Sequence, residues 1–320
     1  MRVYVGLLAV LPVLLITGCG GGGSSTVPAA ASASAPVASE DQPTPVSLES
    51  WSSSISPNAI ISAGGLATEA SYSAPAPSFA VTETNLIGAV GDAADATLEY
   101  NSDGVLREIT ISTDNGAVVS WNSDDDTFSG AFDGKVILLQ SADGSLLGQA
   151  SNSTATGWEY QGFGAWLSGY GTGSGKTGVM SVGAETLGAN IPLSGNATFT
   201  GNSLGVYVDS SGAAFGSTGR MAVVMDFSSR SAGFAISNID TIDLSSLTSA
   251  GRKADLDISG NLYYAPSTNS LTGNVSSSGM SGTASAKFYG PSAEEIGGVL
   301  GLTGSGGQPE SYLGAFGGAR

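Results

Sequence analysis

The chain has no histidine among its 320 residues and a single cysteine, Cys19. Without histidine there is no Ser-His-Asp or Cys-His catalysis, no imidazole acid–base chemistry and no histidine ligand for haem, and most zinc sites are excluded. One cysteine forms no intrachain disulfide. Charged side chains are scarce, at 12% of residues against roughly 25% in an average soluble domain. They are also lopsided: 27 acids and 10 bases leave a formal charge of −17. That field repels phosphate backbones and argues against nucleic acid as a partner. Long apolar runs are short too. Val3 to Ile16, interrupted by Pro12, falls below the roughly 20 residues that span a bilayer as a helix.

What is present begins with an export signal. Arg2 and the apolar stretch after it read as a signal peptide over residues 1–18,. It ends in Leu15-Ile16-Thr17-Gly18-Cys19, which resembles a bacterial lipobox, so Cys19 is expected to be acylated and to anchor the chain to a membrane without crossing it. Gly20 follows where aspartate, by resemblance to enterobacterial lipoproteins, favours retention at the inner membrane. The expected destination is therefore the outer membrane. Residues 19–78 read as a tether rich in Gly, Ser, Ala and Pro, with little apolar surface to offset the entropy of ordering it. Trp51, Ile55, Ile60 and Ile61 are the residues there that could dock.

Glycine is abundant, at 48 residues, and short alternating runs separated by Asp-Gly and Asn-Gly pairs point to an all-β protein. Residues 79–157 read as a small antiparallel β domain, with turns at Asp103-Gly104, Asn115-Gly116, Asp133-Gly134 and Asp143-Gly144,. Residues 158–320 carry longer alternating runs, opening with Gly162 to Tyr170 and Thr177 to Ala184. The run Gly282 to Tyr289 places Gly282, Ala284, Ala286 and Phe288 on one face,. Gly290-Pro291 stops it,, and Ser292 with Glu295 three residues on reads as a one-turn capping box,. A second apolar run then extends through Leu302.

The residues FYGPSAEEIGG (288–298) and LGAFGGAR (313–320) resemble the closing segment of the transferrin-binding protein B type β-barrel, a family of surface lipoproteins with relatives among hemophilins and factor H-binding protein. The loop Gly169 to Gly173 with Gly178 to Thr186 beyond it, and Leu193 to Gly201, are similar to that family as well. The resemblance covers about half of the chain. It implies a handle-like β domain at 79–157 followed by an eight-stranded antiparallel barrel at 158–320. It also implies a non-enzymatic surface lipoprotein that binds a protein or an iron or haem carrier through barrel loops and hands its cargo to a TonB-dependent transporter. An alternative is a lipoprotein that binds a host regulator or a neighbouring envelope protein, with no nutrient role. A chain of this length has room for one lobe of the two in full transferrin binders.

Three motifs invite chemistry. Gly173-Ser174-Gly175-Lys176-Thr177 resembles the end of a P-loop, yet Tyr170 stands where its first glycine belongs and a strand-like run follows,. Asp124-Asp125-Asp126 suggests calcium, but consecutive acids on a strand alternate faces and the spacing is not that of an EF-hand,. Glu294-Glu295 would diverge within one turn and reads as capping and solvated carboxylates,. No cofactor, metal or catalytic residue is assigned. The partner-binding candidates are aromatic: Tyr170, Tyr207 and Tyr263, with Tyr264 and Trp166 behind them,.

Overall fold

The computed structural model describes residues 44–75, 79–131 and 133–320. The signal peptide 1–18, Cys19 and the first part of the expected tether lie outside the described residues. The described residues form one compact unit, built as expected on β-strands with only a few short helical turns.

Ten strands make the first sheet: β1 (Val46–Ser47), β2 (Ile60–Ser73), β3 (Glu83–Tyr100), β4 (Leu106–Thr113), β5 (Val118–Asn122), β6 (Thr127–Ala131), β7 (Val136–Gln140), β8 (Leu146–Ser151), β9 (Gln161–Ser168) and β10 (Ser174–Gly183). Their order is β5-β4-β3-β2-β10-β9-β8-β7-β6, with β1 parallel to β2 and the other ladders antiparallel. The two edge strands, β5 and β6, are consecutive in the chain, so the sheet curls on itself without closing. Nine strands make the second: β11 (Asn196–Val208), β12 (Ala214–Asp226), β13 (Ser231–Asp243), β14 (Thr248–Arg252), β15 (Ile258–Tyr263), β16 (Leu271–Ser277), β17 (Met280–Tyr289), β18 (Glu295–Gly304) and β19 (Ser311–Ala319). A β12–β13 ladder joins the ends of the path, closing eight of these strands into a barrel, with β14 appended to β13. Closure removes free edges.

Two sequence expectations change here. Gly162 to Tyr170 and Thr177 to Ala184 do not open the barrel. They become β9 and β10, which pair with β8 and β2 in the curled sheet, and the barrel's first strand starts at Asn196. Nor does the tether extend to Ser78: β2 sits at the centre of the curled sheet, ahead of the stretch 79–157. Its residues are buried on both faces. Ile61, Ala63 and Ala67 fill the inside of the curl, while Leu66 and Ala70 face the barrel with Leu204, Val299, Leu313 and Ala315. A strand covered on both sides loses its apolar–polar alternation, so a small-residue run such as IISAGGLATEASYS gives no periodic signal. Ahead of it, Ser50 caps a single helical turn, α1 (Trp51–Ser54), and the Trp51 indole N–H donates to the Gln161 carbonyl at 3.1 Å.

Each sheet has its own core. Inside the curl, Trp166 lies over Gly178 and Trp121 over Gly148, where any β-carbon would meet the indole rings. Inside the barrel, Phe288 packs against Phe199, Phe227 and Tyr264 at 5.8–6.0 Å between ring centroids, and Phe234 lies 4.7 Å from Phe316. Ala284, Ala286 and Phe288 all point inward from β17, as their alternation requires.

Candidate binding surfaces

The curled sheet sits on the wall of the barrel made by β18 and β19. Glycine on these strands lets the two layers approach. A β-carbon added at Gly317 would fall 2.3 Å from the Gln161 side-chain amide, and one at Gly297 would fall 2.5 Å from the Ser181 hydroxyl. Tyr289, fully buried, reaches across so that its hydroxyl donates to the Ser181 carbonyl at 3.2 Å. Burial pushes its phenol well above the usual tyrosine range.

Glu295 closes this seam. It is 3% exposed and its two carboxyl oxygens accept the backbone N–H groups of Glu159 and Tyr160 at 2.6 and 3.2 Å. The expected capping box at Ser292 does not form. The Ser292 N–H is bonded by Glu294 instead, because the chain needs Glu295 as the first residue of β18, turned toward the segment that leads into β9. Burial raises its carboxyl to about 7, with the N–H donors of Glu159, Tyr160 and Gln161 pulling the other way. Sequence reasoning named this residue for the wrong role, since nothing local marks a carboxylate whose donors lie 135 and 136 positions away.

The aromatic candidates fall on two ends of the barrel. Tyr170 and Tyr207 share one of them. The Tyr170 hydroxyl donates to the Leu244 carbonyl at 2.6 Å, its ring lies 4.8 Å from Phe79, and the Leu244 N–H donates to Ala214. Tyr207 stacks on Phe215 at 5.9 Å, with the Lys253 ammonium 4.3 Å from the Phe215 centroid. At 8% exposure Tyr207 is a packing residue, and burial, followed by the charges of Glu310 and Asp209, lifts its phenol to about 12. Loops at this end are braced internally: Asp209 accepts from Ser211 and Ala213, Asp243 from Ser245 and Ser246, and the Gln308 amide oxygen takes the Thr84 N–H and hydroxyl.

Tyr263 belongs to the other end, paired with Ser231 beside the β12–β13 turn, and it is 57% exposed. Leu193, 89% exposed, precedes the first barrel strand at the same end, and Leu187 and Val224 are also exposed there. Tyr264, its neighbour, faces inward to Phe288, as Trp166 faces into the curl. Apolar side chains gathered at one end of a rigid scaffold suit contact with a protein surface.

The tempting motifs resolve into structure. Ser174 to Thr177 begin β10 in a plain β9–β10 hairpin. Asp126 caps its own turn, accepting from the N–H groups of Asn122 and Ala142, and Asp124 lies 3.7 Å from Arg107. Among the described residues no group of acids is arranged to hold a metal ion.

No curated protein matches the chain. Among solved structures, transferrin-binding protein B of Haemophilus parasuis is 16% identical with a TM-score of 0.42, over 71% of this chain and 51% of that one, so the chain spans about half of its length. The haemoglobin receptor HpuA of Kingella denitrificans is 16% identical with a TM-score of 0.39, over 83% and 87% of the two chains. Transferrin-binding protein B of Neisseria meningitidis is 11% identical with a TM-score of 0.39, over 82% and 77%. Residues 191–320 match the family model described as the C-lobe and N-lobe β-barrels of Tf-binding protein B, and that range holds all nine strands of the second sheet. The barrel of this chain is thus similar to the lobe barrels of transferrin-binding protein B.

Proposed function

We propose that the protein is a non-enzymatic lipoprotein, held by acylated Cys19 at the outer-membrane surface, that captures an iron- or haem-carrying partner through the ends of its barrel. The match of residues 191–320 to the model of the transferrin-binding protein B barrels supports this reading. The exposed Tyr263 at one barrel end is an aromatic anchor of the kind enriched at interface hot spots, and Leu193 and Leu187 add exposed apolar surface at the same end. Hand-over to a TonB-dependent outer-membrane transporter completes the route.

The test is capture by the full-length lipoprotein, immobilised and exposed to host fluid, with bound proteins identified by mass spectrometry and iron and haem assayed in the eluate. Enrichment of an iron or haem carrier, lost on Leu193→Asp with Tyr263→Ser, is the expected result. An enriched protein that carries neither iron nor haem would overturn the nutrient role and leave a general interaction protein.

A further inference from the structure

Where the curled sheet and the barrel diverge, beyond the glycine seam, a cleft of about 470 Å³ opens between β7–β8 and the barrel strands β11–β13. Its apolar wall is the edge of a buried cluster: Trp158 and Phe163, ring centroids 5.5 Å apart, with Val136 and Leu204, of which Trp158 and Val136 keep 6% and 8% of their surface exposed. Lys135, just ahead of β7, and Arg220, on β12, bring exposed cations to the cleft from its two sides. Neither of these makes an ion pair or a side-chain hydrogen bond among the described residues. Asp240 is the one acid on the lining, so the local charge is +2 − 1 = +1 in a chain whose formal charge is −17.

The barrel wall is irregular at this point. Thr218 pairs with Asp240 and Arg220 with Ser237, so Gly219 faces two residues, Asn238 and Ile239. Asn238 takes up the extra length with φ of 57°, a conformation that costs a non-glycine residue about 1 kcal/mol or more. The bulge brings Asn238 and Asp240 onto the cleft together. Bulges of this kind concentrate beside functional sites. Directly across the β11–β12 ladder, Ser203 pairs with Gly219 and its fully buried hydroxyl has no hydrogen-bond partner among the described residues. Polar groups in this region thus outnumber the bonds that the protein itself provides.

We infer that this cleft is a binding site for a small organic anion with a flat apolar body, its carboxylate or sulfonate taken by Arg220 and Lys135 and its ring set at the apolar wall where Trp158 and Val136 come to the surface. Arginine's planar fork suits a two-oxygen anion. The aromatic wall favours a ring over an aliphatic chain, and Asp240 on the rim selects against a second negative charge nearby. The inference goes beyond partner capture by the barrel ends and does not rest on it, because the two surfaces share no residue.

The probe is naphthalene-2-carboxylate, titrated calorimetrically into the full-length lipoprotein in nanodiscs, with empty nanodiscs as the blank and naphthalene-2-carboxamide as the uncharged analogue. Saturable one-site binding is expected, weakened about tenfold or more by Arg220→Gln and by the amide. Trp158→Leu should weaken acid and amide alike, while Arg252→Gln, on the appended strand β14, should change nothing. Circular dichroism confirms that each variant is folded. Absence of saturable heat would overturn the proposal. So would equal binding of acid and amide, or indifference to Lys135→Gln with Arg220→Gln.

Discussion

The curled sheet and the barrel solve one problem in two ways. Both wrap a sheet around an apolar interior, yet only the barrel completes the ring with hydrogen bonds, through the β12–β13 ladder. In the curled sheet the two edge strands, joined by Ser123 to Asp126, do not pair with each other. Closure there is made by side chains, Trp121 reaching from β5 onto Gly148 of β8. Each interior reflects this difference. The barrel packs Phe and Met against one another, whereas the curl holds two tryptophans, Trp121 and Trp166, whose indole N–H groups find no acceptor among the described residues. A ring closed by backbone tolerates change in its contents better than one closed by its contents, and the glycine seam makes the less regular partner lean on the more regular one.

The sharpest way to break this comparison is to remove one central side chain from each interior. Trp166→Ala and Phe288→Ala should each cost about 3–5 kcal/mol by denaturant titration. The former should also broaden the transition, since Trp166 fills the inside of a sheet that has no closing ladder, while the latter leaves the barrel's ladder intact. Equal cooperativity in the two variants would erase the distinction.

Next in size comes pH. The folded Glu295 carboxyl, raised to about 7, holds its proton more tightly than the unfolded one, whose ordinary value is 4.5. Stability from this group is therefore complete below about 4.5 and declines as pH rises to about 7, by up to about 3 kcal/mol. Thermal melts of Glu295→Gln should lose that slope; Glu294→Gln, at the half-buried neighbour, should keep it.

A smaller effect is expected at the seam itself. Gly317→Val pushes on the Gln161 amide and should cost about 1–3 kcal/mol as overpacking. The smallest is at the surface: Tyr263→Ser should stay within about 0.5 kcal/mol of the parent in stability, its consequence confined to partner capture.

How much of this was legible depended on whether a strand had one solvent face. On β17, Ala284, Ala286 and Phe288 alternate cleanly because the far side of the strand stays partly wet, and the Asp-Gly and Asn-Gly turns name their own backbone geometry. Where both faces are buried, as on β2 around Leu66 and Ala67, alternation vanishes and a central strand resembles linker. Hairpins β9–β10 and β11–β12 look alike locally; which sheet each joins is decided by partners far away, such as Ser181 opposite Leu66. The aromatic candidates carried chemistry but no address, so Tyr263 reached the surface while Tyr207 was drawn into packing. Glu295 and the cleft around Arg220 are both made by the meeting of two sheets, which no single stretch encodes.

Hydrogen exchange on the parent protein and on Gly317→Val tests most directly whether the curled sheet is held against the barrel through the glycine seam. Amides of β9 and β10, residues 161–183, are expected to exchange at least about tenfold faster in the variant, while β15 and β16, away from the seam, keep their protection. Unchanged protection at residues 161–183, or an equal loss on both sides, would contradict it.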